Sequence, residues 1–562
     1  MTTDAARPWL DSYAPGVPHD IEEQTGSLAD LIAESVQTYP DNVALEFFGA
    51  TTTYAQLGDQ IERAAEGLRK LGVKAGDPVA LVMPNSPEHV AAFYAILRVG
   101  GIVIEHNPLY TTREMRHQFE DHGAKVAIAW NKVVATLQDF PADIALDTII
   151  SIDITKGMGF FTRLALRLPI KKARESRAAL TERVQGTVLW SDLVKNEAIA
   201  ASIPRPSVTD VALIQYTSGT TGHPKGATLT HLNLAANAAQ SRAWVPTVER
   251  GTSVVYAVLP LFHAYGLTLC LTFAMSMGAR LVLFPRFDPD LVLAVIKKRP
   301  ATFLPAVPPI YERLQAAAKE KGVSLAGIQI AISGAMPLRA SVVEPWEAET
   351  GGYLVEGYGL SETSPVLMAN PVAPSRVAGT VGLPLPSTLV RVVDPENPTV
   401  EVPKGERGEL VVKGPQVMSG YWKKPEETAE VFADGWFRTG DIVTIDDAGF
   451  IRIVDRIKEL IITGGFNVSP SEVEETLIRF PGISEVAVVG LPSDHSGEEV
   501  VAAVVPANGT SIDEEALEAF ARETLTPYKV PRQFFVVDEL PKSLIGKVLR
   551  RKVRDSILER LG

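Results

Sequence analysis

The run YTSGTTGHPKG, residues 216–226, gathers three glycines, four Ser and Thr hydroxyls and Lys225 into a stretch able to hold an anion. Glycine lets the backbone turn so that N–H groups approach a phosphate, while hydroxyls and a lysine add donors and charge. It is not a Walker loop, which needs Gly-x-x-x-x-Gly-Lys-Ser/Thr. Gly219 and Gly222 stand too close together, Pro224 separates the second glycine from Lys225, and Gly226 stands where a Ser or Thr would be. The Gly-x-Gly-x-x-Gly fingerprint is also missing. The loop follows an apolar, strand-like run and is expected to precede a helix, ATLTHLNLAANAAQ. By itself it fits an ordinary turn as well as a nucleotide cradle.

Four other places carry side chains that could do chemistry: His263 in LPLFHAYG, Glu362 in EGYGLSET, Asp441 in FRTGD and Lys547 in PKSLIGKVLRR. Each also has a bland reading: a core histidine, solvated loop acids, and a lysine in a basic tail. The longer string YTSGTTGHPKGATLTH resembles the AMP-binding signature of the adenylate-forming superfamily: acyl-CoA synthetases, peptide-synthetase adenylation domains and firefly-type luciferases. The other four segments, together with SGAMPL (333–338) and DRIKELIITGGFNVSPSEVE (455–474), follow in that family's order, so the resemblance spans roughly residues 25–555.

The resemblance implies a residue-by-residue site. Thr217, Ser218, Gly219, Thr220, Thr221, Gly222 and Lys225 would hold the phosphates of ATP, and Gly334, Ala335, Gly357, Tyr358 and Gly359 the adenine side. Tyr358 would stack on adenine, Ser361 lie near the α-phosphate, and Thr217 with Glu362 hold Mg2+. Asp441, supported by Arg456, would accept from the ribose hydroxyls. His263 would orient the acid, and Lys547 would bridge its carboxylate and the α-phosphate. Lys458 would be the pivot of a hinge, and Gly464 and Gly465 would line a pantetheine tunnel for CoA. The chemistry calls for such residues because a carboxylate is a poor electrophile. Converting it to an acyl-adenylate brings two anions together and needs positioned cations and donors.

The acid is expected to be a medium- or long-chain fatty acid. LFHAYGL carries no Asp to face a substrate ammonium, and the chain ends 15 residues after Lys547, leaving no room for a carrier-protein domain. Fatty acyl-AMP ligases usually insert a segment near the hinge, where GDIVTIDDAGFIRIVDRIK runs straight through. FHAYGLTLCLTFAMSMG, FLPAVPPIY and EGYGLSETSPVLMANP are apolar with several small residues, which suits an aliphatic chain. An aryl acid:CoA ligase of the coumarate type shares every motif quoted, and a fatty acyl-AMP ligase or a luciferase-type oxygenase stays open as an alternative. A binding protein without turnover would have lost Lys547, Glu362 or the loop hydroxyls, and all are present.

These residues need a scaffold that brings distant segments together. At 562 residues the chain is expected to form several domains. A net charge of −13 argues against a nucleic-acid partner. One cysteine, Cys270, excludes an internal disulfide and fits a reducing compartment. With no signal-like start and no long apolar run, the expected location is the cytoplasm. β-branched runs alternating with helical patterns predict an α/β fold: a large N-terminal domain of two α/β subdomains plus a β-rich subdomain at about 376–455. A small mobile α+β domain, 456–562, should follow 1–455 across a hinge near 455–458. Capping boxes are expected at Thr111/Glu114 and at Ser469/Glu472, with Pro470 in the first helical position. One segment departs from the acidic balance: 156–177 has seven Lys/Arg against Glu175. On a helical wheel Arg163, Arg167, Lys171 and Arg174 line up beside Phe161, Leu164, Ala165 and Leu168, interrupted by Pro169. That pattern fits peripheral contact with the inner face of a membrane, or a solvated insertion. A homodimer is compatible with the resemblance.

Overall fold

The computed structural model describes residues 7–144, 146–217, 224–463, 466–493, 497–507, 509–543 and 546–561. Two large sheets dominate the first 385 residues. In the first, Val43–Phe47, Arg280–Leu283, Val254–Ala257, Phe303–Ala306, Ile330–Ser333 and Tyr353–Gly359 lie parallel, flanked by antiparallel edges. In the second, Val211–Thr217, Ile102–His106, Pro78–Val82, Val126–Trp130, Thr148–Ile152 and Val188–Leu189 are parallel. Helix Pro87–Arg98 packs against strands of both sheets and is buried along its length except at Glu88. Its sequence PEHVAAFYAILR has little polar face to give to water, which is why it ends up between layers. Two of its polar side chains have acid partners: His89 Nε2 lies 3.0 Å from Glu105 Oε1, both fully buried, and Arg98 Nε donates to Glu62 Oε2 at 2.9 Å.

The phosphate loop does not lead into a helix. Lys225–Thr230 is a strand antiparallel to Val211–Thr217, with Thr217 opposite Lys225, and the helix begins only at His231. Residues 218–223 therefore connect two strands, and no helix N-terminus follows them. The reason is local: KGATLT places Ala227 and Leu229 on one face and Thr228 and Thr230 on the other, with 226–229 all buried, and Thr230 then caps the helix in a box with Asn233.

Beyond residue 385 comes an antiparallel sheet, with Leu389–Val393, Gly408–Lys413, Trp436–Ile445 and Ile451–Arg456 in sequence and space. This is the expected β-rich stretch. From Ile461 a separate sheet forms, in which Ile483–Ser493 pairs with Gly497–Pro506. Alternate residues of these two long strands feed two cores. Val488, Val500, Ala502 and Val504 face helices Pro470–Leu477 and Glu514–Thr524, while Val489, Val501 and Ala503 face Arg550–Leu561. The period-2 pattern is buried on both sides because both faces carry helices.

The capping box at Thr111/Glu114 is complete. At Ser469 it is half made: Ser469 Oγ accepts from Glu472 N at 3.1 Å, but the Glu472 carboxylate pairs with Lys529 Nζ at 2.6 Å instead of returning to the cap. The basic segment also differs from a single striped helix. It forms Phe160–Ala165 and Lys171–Leu180, separated by turns at 166–170 around Pro169.

Candidate active site

A cleft of about 1960 Å³ opens between the two large sheets, the antiparallel sheet and the C-terminal sheet. Its walls include Thr217, Lys225, His263, Gly334, Ala335, Gly357, Tyr358, Gly359, Ser361, Glu362, Arg456 and Lys547. Most of the residues predicted from motifs spread over more than 300 positions thus line one space. Ser218, Gly219, Thr220, Thr221 and Gly222, like Gly464 and Gly465, lie outside the described residues. Lys458 falls in the single turn Ile457–Glu459, beside the cleft-lining Ile457 and Glu459.

Asp441 is buried at the heart of strand Trp436–Ile445, with Arg456 directly opposite in register. Arg456 Nε donates to its Oδ1 at 2.8 Å, and the Tyr358 hydroxyl donates to its Oδ2. Tyr358 was expected as a stacking platform; its hydroxyl in addition ties the 357–359 strand to Asp441. Burial and the Asp441 charge hold the Tyr358 phenol well above its usual range, so it remains a donor. Next to it, Gly359 lets the strand pass close to Pro365, since a Cβ there would lie 1.8 Å from the Pro365 carbonyl oxygen.

Glu362 sits in the turn Ser361–Thr363, which packs against strands Val211–Thr217 and Lys225–Thr230. Tyr421 Oη donates to its Oε1 at 3.0 Å, and the Lys225 ammonium lies 5.2 Å from the Tyr421 ring centroid. Burial raises the Glu362 carboxyl above its usual range. A hard oxygen donor held this way, with the Thr217 hydroxyl on the strand it packs against, fits Mg2+, which takes one or two protein ligands and leaves the rest to phosphates and water. Consistent with so sparse a donor set, no cluster of three or more His, Cys, Asp or Glu able to hold a metal occurs among the described residues. Tyr421 was missed from sequence. The available signal was an aromatic in SGYWKKP, whose partner is 59 positions away.

His263 caps the short helix Ala264–Gly266, its Nδ1 accepting from Tyr265 N at 3.3 Å. Burial lowers it to about 4, so it is a neutral imidazole near pH 7. Tyr265 spans behind it, donating to Ile332 O at 2.7 Å and touching the face of Gly334. A run of π-type turns follows at Leu267–Thr272. Leu269, Phe303, Ala369 and Leu385 also line the cleft although each is at most 2% exposed, so the cavity reaches into the core. Trp244 and Leu385, outside the three segments read as pocket, join this apolar wall. The rest of FHAYGLTLCLTFAMSMG, from Cys270 to Met277, is buried core that does not line the cleft.

Lys547 arrives from the opposite side. Its backbone is folded back on Ser543, with Ser543 N donating to Lys547 O at 2.8 Å and Lys547 N to Ser543 Oγ at 3.1 Å. Gly546, at φ +82°, lies beside the 333–338 loop: a Cβ there would be in van der Waals contact with Met336 Sδ, at 3.4 Å. The lysine loop therefore docks on the N-terminal part. Burial first, and Arg456 second, lower the Lys547 ammonium from 10.5 to about 8. Arg550, just beyond it, is held by Glu474 at 2.6 Å, by Ser471 Oγ at 3.1 Å and by Glu459.

Two α/β layers, a β-rich subdomain and a small C-terminal part delivering a lysine to an anion-suited cleft define an adenylate-forming architecture. The chain belongs to the AMP-binding enzyme family, whose pattern matches residues 32–422, with the AMP-binding enzyme C-terminal domain matching 472–547. It is 38% identical over 559 residues to a long-chain-fatty-acid–CoA ligase of Bacillus subtilis (strain 168), covering 98% of each chain. It is 39% identical over 564 residues to the protein of the same name from Escherichia coli O6:H1, covering 97% of this chain and 98% of that one. Among solved structures, ATP-bound MatB from Rhodopseudomonas palustris superposes with a TM-score of 0.81 at 31% identity, over 95% of this chain and 100% of that one.

Proposed function

We propose that the protein is an AMP-forming long-chain fatty acid:CoA ligase acting in two steps. In the first, a carboxylate oxygen attacks the α-phosphorus of ATP, the bond to the bridging oxygen of the β-phosphate breaks, and pyrophosphate leaves. In the second, the CoA sulfur attacks the acyl carbon, the bond to the AMP oxygen breaks, AMP leaves, and the thiol proton passes to solvent. The observation that carries this reading is the convergence of Lys547, Arg456 (paired with the buried Asp441) and Glu362 around a cavity whose far wall is apolar and buried.

In this reading the Lys547 ammonium lies between carboxylate and α-phosphate and offsets the charge that gathers there. Asp441, pre-set by Arg456 and Tyr358, accepts from the ribose hydroxyls. Neutral His263 orients the acid at the mouth of the apolar cavity, and Lys225 with the 218–222 donors holds the outer phosphates. Thr217 and Glu362 hold Mg2+, which when bound neutralises the phosphate charge as a Lewis acid. The chain divides at 455–458 into 1–455 and a mobile 456–562, with Lys458 the pivot. After rotation Gly464 and Gly465 would line the pantetheine path. The separate hydrophobic cores of the C-terminal sheet support that division.

The test is acid-dependent pyrophosphate release with ATP and Mg2+ across straight-chain acids from acetate to stearate plus a cinnamate, followed by thioester formation on adding CoA. Long-chain acids should give both. No release with any acid overturns the reading, and release best with cinnamate reassigns the acid.

A further inference from the structure

Helix His231–Trp244 supplies Ser241 and Trp244 to the apolar arm of the cleft, which Leu269, Val366, Ala369 and Leu385 also line. Asn237, Ser241 and Trp244 are spaced so that they share one face of that helix. On either side of Ser241 this face is tied to the chain at 366–370. Asn237 Nδ2 donates to Val366 O at 2.7 Å and its Oδ1 accepts from Val366 N at 3.0 Å, while Trp244 Nε1 donates to Asn370 O at 3.1 Å. Ser241 sits between the two ties, and its hydroxyl has no hydrogen-bond partner.

A helical serine ordinarily donates to the carbonyl one turn back, and a buried polar atom left without a hydrogen bond costs free energy. Ser241 is 6% exposed and makes neither that bond nor another. Its polar neighbours behave differently. On the segment Leu267–Thr272, which packs against the same helix, Thr268 Oγ1 donates to Ser364 O at 2.5 Å and Thr272 Oγ1 to Thr268 O at 3.2 Å. Gln240, next to Ser241 in sequence, donates to Pro386 O at 2.9 Å. The fold thus leaves one unsatisfied hydroxyl on the wall of a buried apolar cavity. A plain hydrocarbon chain seated there would press methylenes against it. A chain carrying its own hydroxyl at that depth would satisfy both groups, because each hydroxyl can donate and accept.

We infer that the cavity selects long-chain acids bearing a hydroxyl partway along the chain, and that Ser241 is the residue that reads it. This rests on the cavity being the acyl pocket of the ligase proposed above, and it narrows that enzyme's substrate class. Selection is by position, since Ser241 is fixed on a helix held on both sides. A hydroxyl at one depth reaches its Oγ; at other depths it enters the apolar wall unpaired and is penalised. A buried hydrogen-bonding group discriminates between substrates far more sharply than an apolar wall does between chains differing by a methylene.

The experiment measures kcat/KM in acid-dependent pyrophosphate release for stearate and for hydroxystearates that differ only in the position of the hydroxyl. Wild type is compared with Ser241→Ala, whose melting temperature establishes that it is folded. Wild type should favour one position, or two adjacent ones, over stearate by ~10-fold or more, with the remaining positions below stearate. Ser241→Ala should shift both ends of that comparison. Stearate improves because no hydroxyl is left against its chain, the favoured hydroxystearate falls, and their ratio drops ~10-fold or more. A wild type that turns over stearate but ranks every hydroxystearate below it overturns the inference, whatever the variant does. So does a favoured position that survives Ser241→Ala. No pyrophosphate release with any acid of the set overturns the ligase reading itself, and the inference with it.

Discussion

Lys547 offers the sharpest test, because its burial makes its charge titrate within the working range. With the ammonium lowered to about 8, some nine-tenths of the free enzyme carries the charge at pH 7 and about one-tenth at pH 9. If the charge is what adenylation uses, kcat/KM for ATP in acid-dependent pyrophosphate release should halve near pH 8 and fall about tenfold by pH 9. The assay omits CoA, whose thiol would titrate in the same range. The limb in kcat should sit higher, since bound phosphate and carboxylate stabilise the ammonium. Lys547→Arg, which stays charged, should lose the alkaline limb even if its rate is low. Lys547→Ala should abolish adenylation yet leave CoA transfer from supplied acyl-adenylate largely intact. The same burial has a stability consequence. The folded state binds its proton less tightly than the unfolded chain, so the lysine costs stability fully below pH 8, and the penalty fades as pH rises toward 10.5. At ~1.4 kcal/mol per unit the ceiling is about 3.5 kcal/mol, so Lys547→Ala should melt higher than wild type at pH 7 and lose most of that advantage by pH 10. A wild-type profile flat to pH 10, or an identical limb in Lys547→Arg, would refute the reasoning.

Four further outcomes follow from particular contacts. Tyr421→Phe removes the hydrogen bond to Glu362, and initial rates against Mg2+ should show a raised requirement and a loss of about tenfold in kcat/KM, corresponding to the ~1.5 kcal/mol or more of a bond to a charged group. Gly359→Ala forces a Cβ against the Pro365 carbonyl; a fall in stability of roughly 3 kcal/mol or more should appear in denaturant melts, and a wild-type midpoint would refute the clash. Arg550→Met leaves Glu474 and Glu459 without their partner, and thermal melting of the C-terminal part should show a loss of roughly 3–5 kcal/mol. For Lys458→Pro, adenylation should survive while thioester formation collapses, measured as separate half-reactions; unchanged overall turnover would remove Lys458 from the hinge.

Much of the site was legible because its motifs are local. SGAMPL, EGYGLSET, FRTGD and PKSLIGK are short strings that resemble the family's motifs, so Asp441, Glu362 and Lys547 could be named as candidates without coordinates. The β-rich stretch was legible from Gly- and Pro-spaced strands. What failed depended on competition between neighbours. Glu472 has the spacing for a capping box, but Lys529 lies within reach and takes its carboxylate. ATLTH was read into a helix, but the edge of strand Val211–Thr217 offered unpaired backbone groups, and KGATLT pairs with them.

Sequence alone thus determined the chemical inventory, the fold class and the order of the segments, because side-chain identity and short-range propensity act over a few residues. Only the tertiary structure decided which groups meet: Gly546, beside Lys547, with Met336, Tyr421 with Glu362, and Tyr358 with Asp441. It also decided their charge states, lowering Lys547 to about 8 and His263 to about 4, because desolvation depends on what packs around a group rather than on its place in the chain.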